Sequence, residues 1–368
     1  MKIGIPRERK ENERRVAITP LGVKELSQLG AEIFIENDAG ILSGFTNDEY
    51  LDAGAKIANT LEEVWAQDLV VKVKEPHVDE VPYFRPGLNV FSFLHLAVFP
   101  ELTQALLDKE VTGIDYDLVM LDDGRLPILE PMSVIAGKLS VQCGAYALQS
   151  KVNGRGVLLG GAPGVPPSKV VVLGAGASGR NAAQIAIGMG AQLTILDINT
   201  RRLEEFASIA GSIRTRYSTP VAVEEEIADA DLVIGAVLIP GAKAPTLISK
   251  EMLKIMPEKS VIVDISIDQG GIAETSRATT IADPTYVESG VVHYCVANMP
   301  ALVPRTSTIA LTNATLPWMK MFVKKGIEGS IKDSAPVKRS ITSYKGSLTN
   351  KEIGEAHGIS HVEMDELV

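Results

Sequence analysis

Residues 169–202, KVVVLGAGASGRNAAQIAIGMGAQLTILDINTRR, decide the fold. An apolar run over 169–173 meets Gly174, Gly176 and Gly179 in the spacing G-x-G-x-x-G, a stretch of small residues continues to Gly190, and a second apolar run delivers Asp197. This is the pattern of strand, tight turn, helix and strand that makes half of a doubly wound dinucleotide-binding sheet. The first glycine allows the turn, the second lets a pyrophosphate approach the backbone, and the third lets helix and strand pack closely. The helix N-terminus, with Ala177 and Ser178 in its first turn, offers N–H groups and partial positive charge to that pyrophosphate. Asp197 lies 18 positions after Gly179, the spacing of an acid that accepts hydrogen bonds from ribose hydroxyls, so NAD is the expected cofactor. Arg201 and Arg202 follow closely and oppose part of that preference, because they suit a 2′-phosphate. A bare G-x-G-x-x-G in a chain with 32 glycines also describes an ordinary turn; the flanking strands, helix and acid separate the two readings.

The rest of the composition agrees with an enzyme of two domains. A length of 368 residues gives two units with sizeable cores at ~100–200 residues per domain. The net charge is −10 and no Lys/Arg cluster is interleaved with aromatics, which argues against a nucleic-acid partner. The opening MKIGIPRERKENERR has no signal-type apolar stretch, and no apolar run approaches the ~18 residues that span a bilayer, so no membrane partner and a cytoplasmic location are expected. Cys143 and Cys295, the only cysteines, both sit in apolar contexts and read as buried thiols.

Outward from the glycine turn, the chain reads as α/β with two Rossmann-like doubly wound domains, the first discontinuous in sequence. Strands are expected over 2–5, 32–36, 69–74, 89–94 and 112–116, with helices between them over 21–29 and 100–109. A long helix over 133–150 carries the chain from one domain to the other, and a break over 154–167 that holds five glycines and three prolines follows it before the glycine turn. Strands over 232–237, 260–265 and 291–296 extend the second sheet, and a helix after Thr306 returns the chain to the first domain. The expected boundaries are 1–128 and 306–368 for the first domain and 129–305 for the dinucleotide-binding domain. The tail from Ser330 is polar and without apolar periodicity, and no structure is assigned to it.

Ligands of open α/β sheets bind outside the carboxyl ends of the strands. That rule selects Lys74 at the end of LVVKVKEP, His95 at the end of NVFSFLHLA, Asp268 after SVIVDISIDQGG, and Arg15 in the loop that follows the first strand. Together they are two cations, an imidazole and a carboxylate. Each also has a plainer role: Lys74 as an edge residue, His95 as a hydrogen-bonded core histidine, Asp268 as a turn former before the glycines, and Arg15 as part of a solvated charge run. His357 and His361 are four apart, but Gly358 and the polar tail argue against a metal pair, and His77 and His293 have no evident partners; no metal site is expected.

Taken in order, PRERKENERRVAITP, VKVKEP, FLHLA, PMSVIAGKLSVQCGAY, GRGVLLGG, DLVIGAVLIPGAKAP, IDQGG and VVHYCVANMPALVPRTSTIALTNATLP resemble bacterial alanine dehydrogenases from Met1 to about Lys325. The nucleotide-binding part of transhydrogenases shares the architecture without this combination of motifs. The resemblance implies reversible, NAD-dependent oxidative deamination of L-alanine to pyruvate and ammonium by a homohexamer. It implies Arg15 and Lys74 as substrate-binding residues and His95 and Asp268 as the catalytic pair. NAD contacts carry over to Ser133, Ala177, Ser178, Asp197, Arg202, Ser218, Val237, Leu238, Ile265, Ser266, Ile267, Asp268, Arg277, Val296, Ala297, Asn298 and Met299, beside the three glycines. The chain departs from the family in having Phe93 where an aromatic hydroxyl is usual, Asp117 where Glu is usual, and Ile281 where a polar or aromatic residue is common. A nucleotide-binding module without amino-acid chemistry and a non-catalytic NAD-sensing protein are the alternative readings.

Overall fold

The computed structural model of the protein describes residues 1–207, 213–238 and 243–368. They divide into two compact units, Met1–Met132 with Ala301–Val368, and Ser133–Pro300. In chain order the strands are β1 (Lys2–Ile5), β2 (Glu32–Glu36), β3 (Lys56–Ala58), β4 (Leu69–Val71), β5 (Asn89–Ser92), β6 (Thr112–Asp115), β7 (Lys169–Leu173), β8 (Gln192–Asp197), β9 (Ile213–Tyr217), β10 (Leu232–Gly235), β11 (Val261–Asp264), β12 (Thr285–Glu288), β13 (Val291–Tyr294), β14 (Ile341–Tyr344) and β15 (Ser347–Leu348).

The first unit carries an eight-stranded sheet in the order β15-β14-β6-β5-β4-β1-β2-β3, with β1 to β6 parallel and β14 and β15 antiparallel at one edge. The second unit carries seven strands, β12-β13-β11-β10-β7-β8-β9, all parallel except β12. Central strands such as LVIG, VIVD and LVV are buried throughout, as expected where both faces of a parallel sheet are covered. Trp65, Val70, Leu88, Val90 and Leu106 anchor the first core, and Val171, Leu196, Val233, Ile262 and Ile272 the second. Strand order reverses between β1 and β4 in one sheet and between β7 and β10 in the other, and at such reversals the crevice for a ligand opens at the carboxyl edge.

Three expectations change. The strand expected over 69–74 stops at Val71: β1 on one side ends at Ile5 before Pro6, while on the other Lys72 N still donates to the Phe91 carbonyl at 3.1 Å. The returning helix runs Pro304–Asp333 and is broken at Gly326, which takes φ 71° and ψ 170°. The polar tail adds two strands and the helix Lys351–His357 to the first unit. Its ITSY strand is buried although three of its four residues bear hydroxyls, because those of Thr342 and Ser343 are satisfied on the backbone and that of Tyr344 on Glu328. Ser343 donates to the Val111 carbonyl at 2.9 Å and accepts from Gly113 N at 3.0 Å, and Thr342 donates to the Gly113 carbonyl. Among the described residues, no helix is long and apolar enough to cross a membrane.

Candidate active site

In the second unit the glycine turn is built by close backbone contact. Gly174 takes φ 102°, and a Cβ there would lie 2.5 Å from the Ala236 carbonyl oxygen, so β7 and the end of β10 touch at the reversal of strand order. A Cβ on Gly179 would lie 1.7 Å from the Gly174 oxygen, which forces the helix Ala177–Gly188 onto the turn. Gly176 differs: a Cβ there would meet only Arg202 Nη1, at 3.9 Å. It is the N-cap of that helix and supplies no capping side chain. The turn therefore leaves a cradle with helix-terminal N–H groups, the geometry that takes a pyrophosphate. Behind it, the Ser178 backbone packs on Gly137, where a Cβ would lie 2.0 Å from the Ser178 oxygen; Ser133 is half-buried on the same helix, Glu130–Ala147.

Asp197 ends β8 with 7% exposure, accepting from Ala175 N at 2.6 Å and Asn199 N at 2.7 Å, with Arg202 Nη1 at 3.7 Å. Its carbonyl accepts from Ser218 N at 3.1 Å, so Asp197, Arg202 and Ser218 form one cluster. Ser266 Oγ donates to the Val237 carbonyl at 2.6 Å and accepts from Val237 N at 3.1 Å, tying the ends of β10 and β11 together; Leu238 follows, half exposed. Ile265, Ser266, Ile267 and Asp268 form a short 3-10 turn capped by the buried Asp264. Asp264 accepts from Ser266 N, Ile272 N and Ser276 Oγ at 3.0, 2.8 and 2.6 Å, while burial pushes its carboxyl up against those contacts. Asp268 leaves this turn to accept from Asn298 N at 3.4 Å, next to Ala297, Val296 and the buried Met299. Residues 239–242, within the motif that follows β10, lie outside the described residues. Arg277 belongs to a separate stack: its guanidinium lies 3.8 Å from the centre of the Tyr286 ring, which in turn stacks on His293. The thiols differ, Cys295 being buried and pushed up to about 12 by that burial, whereas Cys143 is only half-buried on the flank of its helix.

In the first unit His95 follows β5 with φ 49°, a left-handed conformation that costs a non-glycine residue of order 1–3 kcal/mol and is common at functional sites. Its ring lies between two carboxylates, Nδ1 at 3.3 Å from Glu75 Oε2 and Nε2 at 3.4 Å from Asp117 Oδ2, and stacks on Phe93. Burial pushes Glu75 up, but hydrogen bonds from His95 and Lys10 outweigh it and hold the carboxyl well below the usual carboxylate range. Beneath, burial and the Asp117 charge push Asp115 up to about 7. Phe93 packs edge-on against Tyr116, whose buried hydroxyl has no hydrogen-bond partner, so the aromatic layer supports the ring of His95 without a polar contact.

Arg15 is not part of a solvated charge run: it is 2% exposed, its Nε and Nη2 gripping Glu13 at 2.7 and 2.6 Å and its Nη1 reaching Met132 Sδ at 3.1 Å. The fork thus already holds a carboxylate along one edge. Lys74 is half-buried, its backbone N donating to Glu8 at 3.3 Å. Lys72, which the alternation in LVVKVKEP assigns no role, is fully buried between Glu8 and Glu80. Burial pushes Glu8 up to about 7 against the pull of Lys72. Sequence reasoning missed Glu75, Glu8, Glu13, Glu80, Asp264 and Tyr286; Glu75, directly after Lys74 at a strand's carboxyl end, satisfied the same positional rule and is the one it could have found. Of the remaining histidines, His357 Nε2 donates to the Leu96 carbonyl at 2.7 Å, His293 pairs with Thr275, and His77 and His361 lie beside Asp79 and Glu363 at 3.2 and 3.5 Å. Among the described residues, no group of three or more His, Cys, Asp or Glu side chains could hold a metal ion.

Comparison with known proteins matches the chain to two successive family models, the second of which runs on into the returning part of the first unit. The family described as alanine dehydrogenase/PNT, N-terminal domain, matches residues 4–136, and its C-terminal domain matches residues 140–351. The chain is 50% identical over 368 residues to "Alanine dehydrogenase" of Staphylococcus haemolyticus (strain JCSC1435) and to "Alanine dehydrogenase 2" of Staphylococcus aureus (strain USA300), covering 100% of this chain and 99% of each relative. Among solved structures it resembles an L-alanine dehydrogenase with a TM-score of 0.94 at 42% identity, over 97% of this chain and 99% of that one. A transhydrogenase from Sinorhizobium meliloti follows with a TM-score of 0.82 at 26% identity, over 95% of this chain and 99% of that one. With both domain models matched in order and relatives half identical from end to end, the chain belongs to the alanine dehydrogenase/PNT family.

Proposed function

We infer that this protein is an NAD-dependent L-alanine dehydrogenase, catalysing the reversible conversion of L-alanine, water and NAD to pyruvate, ammonium, NADH and a proton. The observation that carries the reading is full-length identity of 50% to alanine dehydrogenases, against 26% to the transhydrogenase. The second unit fits the cofactor: the cradle at Gly176, the uncapped helix start and the Asp197 carboxylate match a pyrophosphate and a ribose diol. Gly174, Gly176, Ala177, Ser178, Gly179, Asp197, Arg202 and Ser218 would hold its adenosine half. Residues Ser133, Val237, Leu238, Ile265, Ser266, Ile267, Arg277 and Val296 to Met299 would complete the site. Bound there, NAD supplies the acceptor for the hydrogen on the substrate's Cα.

The chain's own residues handle charge and protons. Arg15, held by Glu13, and Lys74 present positive charge to the substrate carboxylate and carbonyl oxygen. His95 exchanges protons with the amine, the attacking water and the carbinolamine, and Glu75 and Asp117 on either side of its ring orient it for those transfers. Asp268 favours the cationic iminium and orients the water. We also propose a homohexamer in the cytoplasm, as the family resemblance implies; sedimentation would give the mass. The decisive experiment measures NADH formation from a panel of small L-amino acids by the wild type and by His95→Ala. Alanine-dependent NADH formation that falls by ~10²–10⁴ in the variant, with NADH binding kept, supports the reading. NADH binding without alanine turnover in the wild type would favour the nucleotide-binding module instead.

A further inference from the structure

We propose that the buried triad Glu8–Lys72–Glu80 is a positioning device: it clamps the loop over 72–77 from beneath and so sets where Lys74 and Glu75 stand. Lys74 and Glu75 act, on the reading above, on the substrate and on His95, and the proposal rests on that reading. The need for a clamp arises from the backbone. β4 ends at Val71, and β1, its neighbour, ends at Ile5 before Pro6, so the N–H groups of the following residues lose their ladder partner on that side. Buried N–H groups must nevertheless be satisfied.

Two carboxylates do this. Glu8 Oε1 accepts from Val73 N at 2.7 Å and Oε2 from Lys74 N at 3.3 Å, while Glu80 Oε2 accepts from His77 N at 2.7 Å. One ammonium joins them: Lys72 Nζ lies 2.9 Å from Glu80 Oε1 and 3.6 Å from Glu8 Oε2. All three side chains are at most 2% exposed, and none of them reaches the surface where a substrate would arrive. Buried ion groups of this kind contribute little net stability compared with apolar packing, but removing one member leaves an uncompensated charge. The arrangement is therefore read most directly as geometric: two points of the loop, residues 73–74 and residue 77, are pinned to one buried cation, and Glu75 between them is aimed at His95.

The test compares Glu8→Gln, the neutral triple variant Glu8→Gln/Lys72→Met/Glu80→Gln, and Lys74→Ala with the wild type in the full chain. Glutamine keeps the volume of Glu8 but brings one acceptor to two N–H groups. Glu8→Gln is expected to lower kcat/KM for pyruvate about tenfold to a hundredfold, mainly through KM, the scale of a misplaced substrate contact. NADH affinity should stay unchanged, because the dinucleotide cradle lies in the other unit. Amide hydrogen exchange at residues 73–75 and 77 should quicken about tenfold or more, whatever Lys74 does. The triple variant leaves no buried charge unpaired, so it is expected to keep its thermal midpoint and still show the same kinetic loss; it decides the matter if Glu8→Gln does not fold. Wild-type pyruvate kinetics with wild-type exchange in either variant overturns the clamp. If Lys74→Ala is also as active as the wild type while exchange quickens in Glu8→Gln, the clamp stands and the reading of Lys74 is what fails.

Discussion

Replacing Glu75 by glutamine keeps the side chain's size and removes its charge, and the structure sets how much that should cost. The carboxylate faces His95 Nδ1 at 3.3 Å and Lys10 Nζ at 2.6 Å with 10% of the side chain exposed. Its titration is held well below the usual range, because the contacts with His95 and Lys10 outweigh burial. Glu75 is therefore an anion at neutral pH, and a hydrogen bond to a charged group is worth ~1.5–3 kcal/mol against ~0.5–1.5 for a neutral one. The difference, about 1.2 kcal/mol between the middles of those ranges, corresponds to nearly tenfold in rate. Glu75→Gln should lower kcat for pyruvate amination about tenfold, followed by NADH absorbance, with the dissociation constant of NADH unchanged. Stability should change with a definite sign. The folded carboxyl titrates below its unfolded value of 4.5, so the stability it brings is present above about pH 4.5 and is lost as pH falls below it. Urea unfolding of wild type and variant should therefore differ at pH 6 and converge in acid. A variant with wild-type kcat and a parallel acid profile would refute the assignment of Glu75 as the group that orients His95.

Other perturbations separate the remaining roles. Arg15→Lys should raise KM for pyruvate and alanine and also destabilise the fold by about 3 kcal/mol, since one ammonium cannot replace the bidentate grip on buried Glu13; unchanged KM would remove Arg15 from the substrate site. Asp197→Ala should raise NADP use relative to NAD, because the carboxylate repels a 2′-phosphate and Arg202 at 3.7 Å is released toward it; an unchanged ratio of the two specificity constants would contradict this. Asp115→Asn should stabilise the protein at pH 8 but not at pH 4. Its carboxyl titrates at about 7 in the fold against 3.8 unfolded, so the fold binds the extra proton between those values and loses on the order of 4 kcal/mol as pH rises through them. Equal stability gain at both pH values would show that charge burial is not the cause.

The fold was legible where local pattern and tertiary role coincide. Buried parallel strands such as VIVD and the glycine turn carry their whole signal within a few residues, and the structure follows them to within two or three positions at the strand ends. The tail was not legible, because β14 is recognisable only by its partner: ITSY has no apolar period, and its hydroxyls become buried by bonding to β6, more than 200 positions earlier in the chain. Lys72 was not legible for a related reason. Alternation with valine is the mark of a half-exposed strand, yet a lysine with two buried carboxylates at hand is itself buried.

The candidate site divides along the same line. Lys74, His95, Asp268 and the three glycines could be picked out because the carboxyl-edge rule and the spacing of a turn act on positions along one segment. What holds those residues acts across segments: Glu75 stands 20 positions before His95, Glu8 lies 65 and 66 before the N–H groups it accepts from, and Asp264 organises a loop through Ser276, 12 residues on. All are carboxylates, and each is buried or nearly so, in a chain of 46 acidic residues among which sequence reasoning gave a role in the site only to Asp197 and Asp268. A buried carboxylate is costly unless several donors converge on it, and convergence is a property of the fold. This chain concentrates those carboxylates at the carboxyl edges of both sheets, where backbone N–H groups leave their ladders, and so the acids that sequence could not single out are the ones that aim the groups it could.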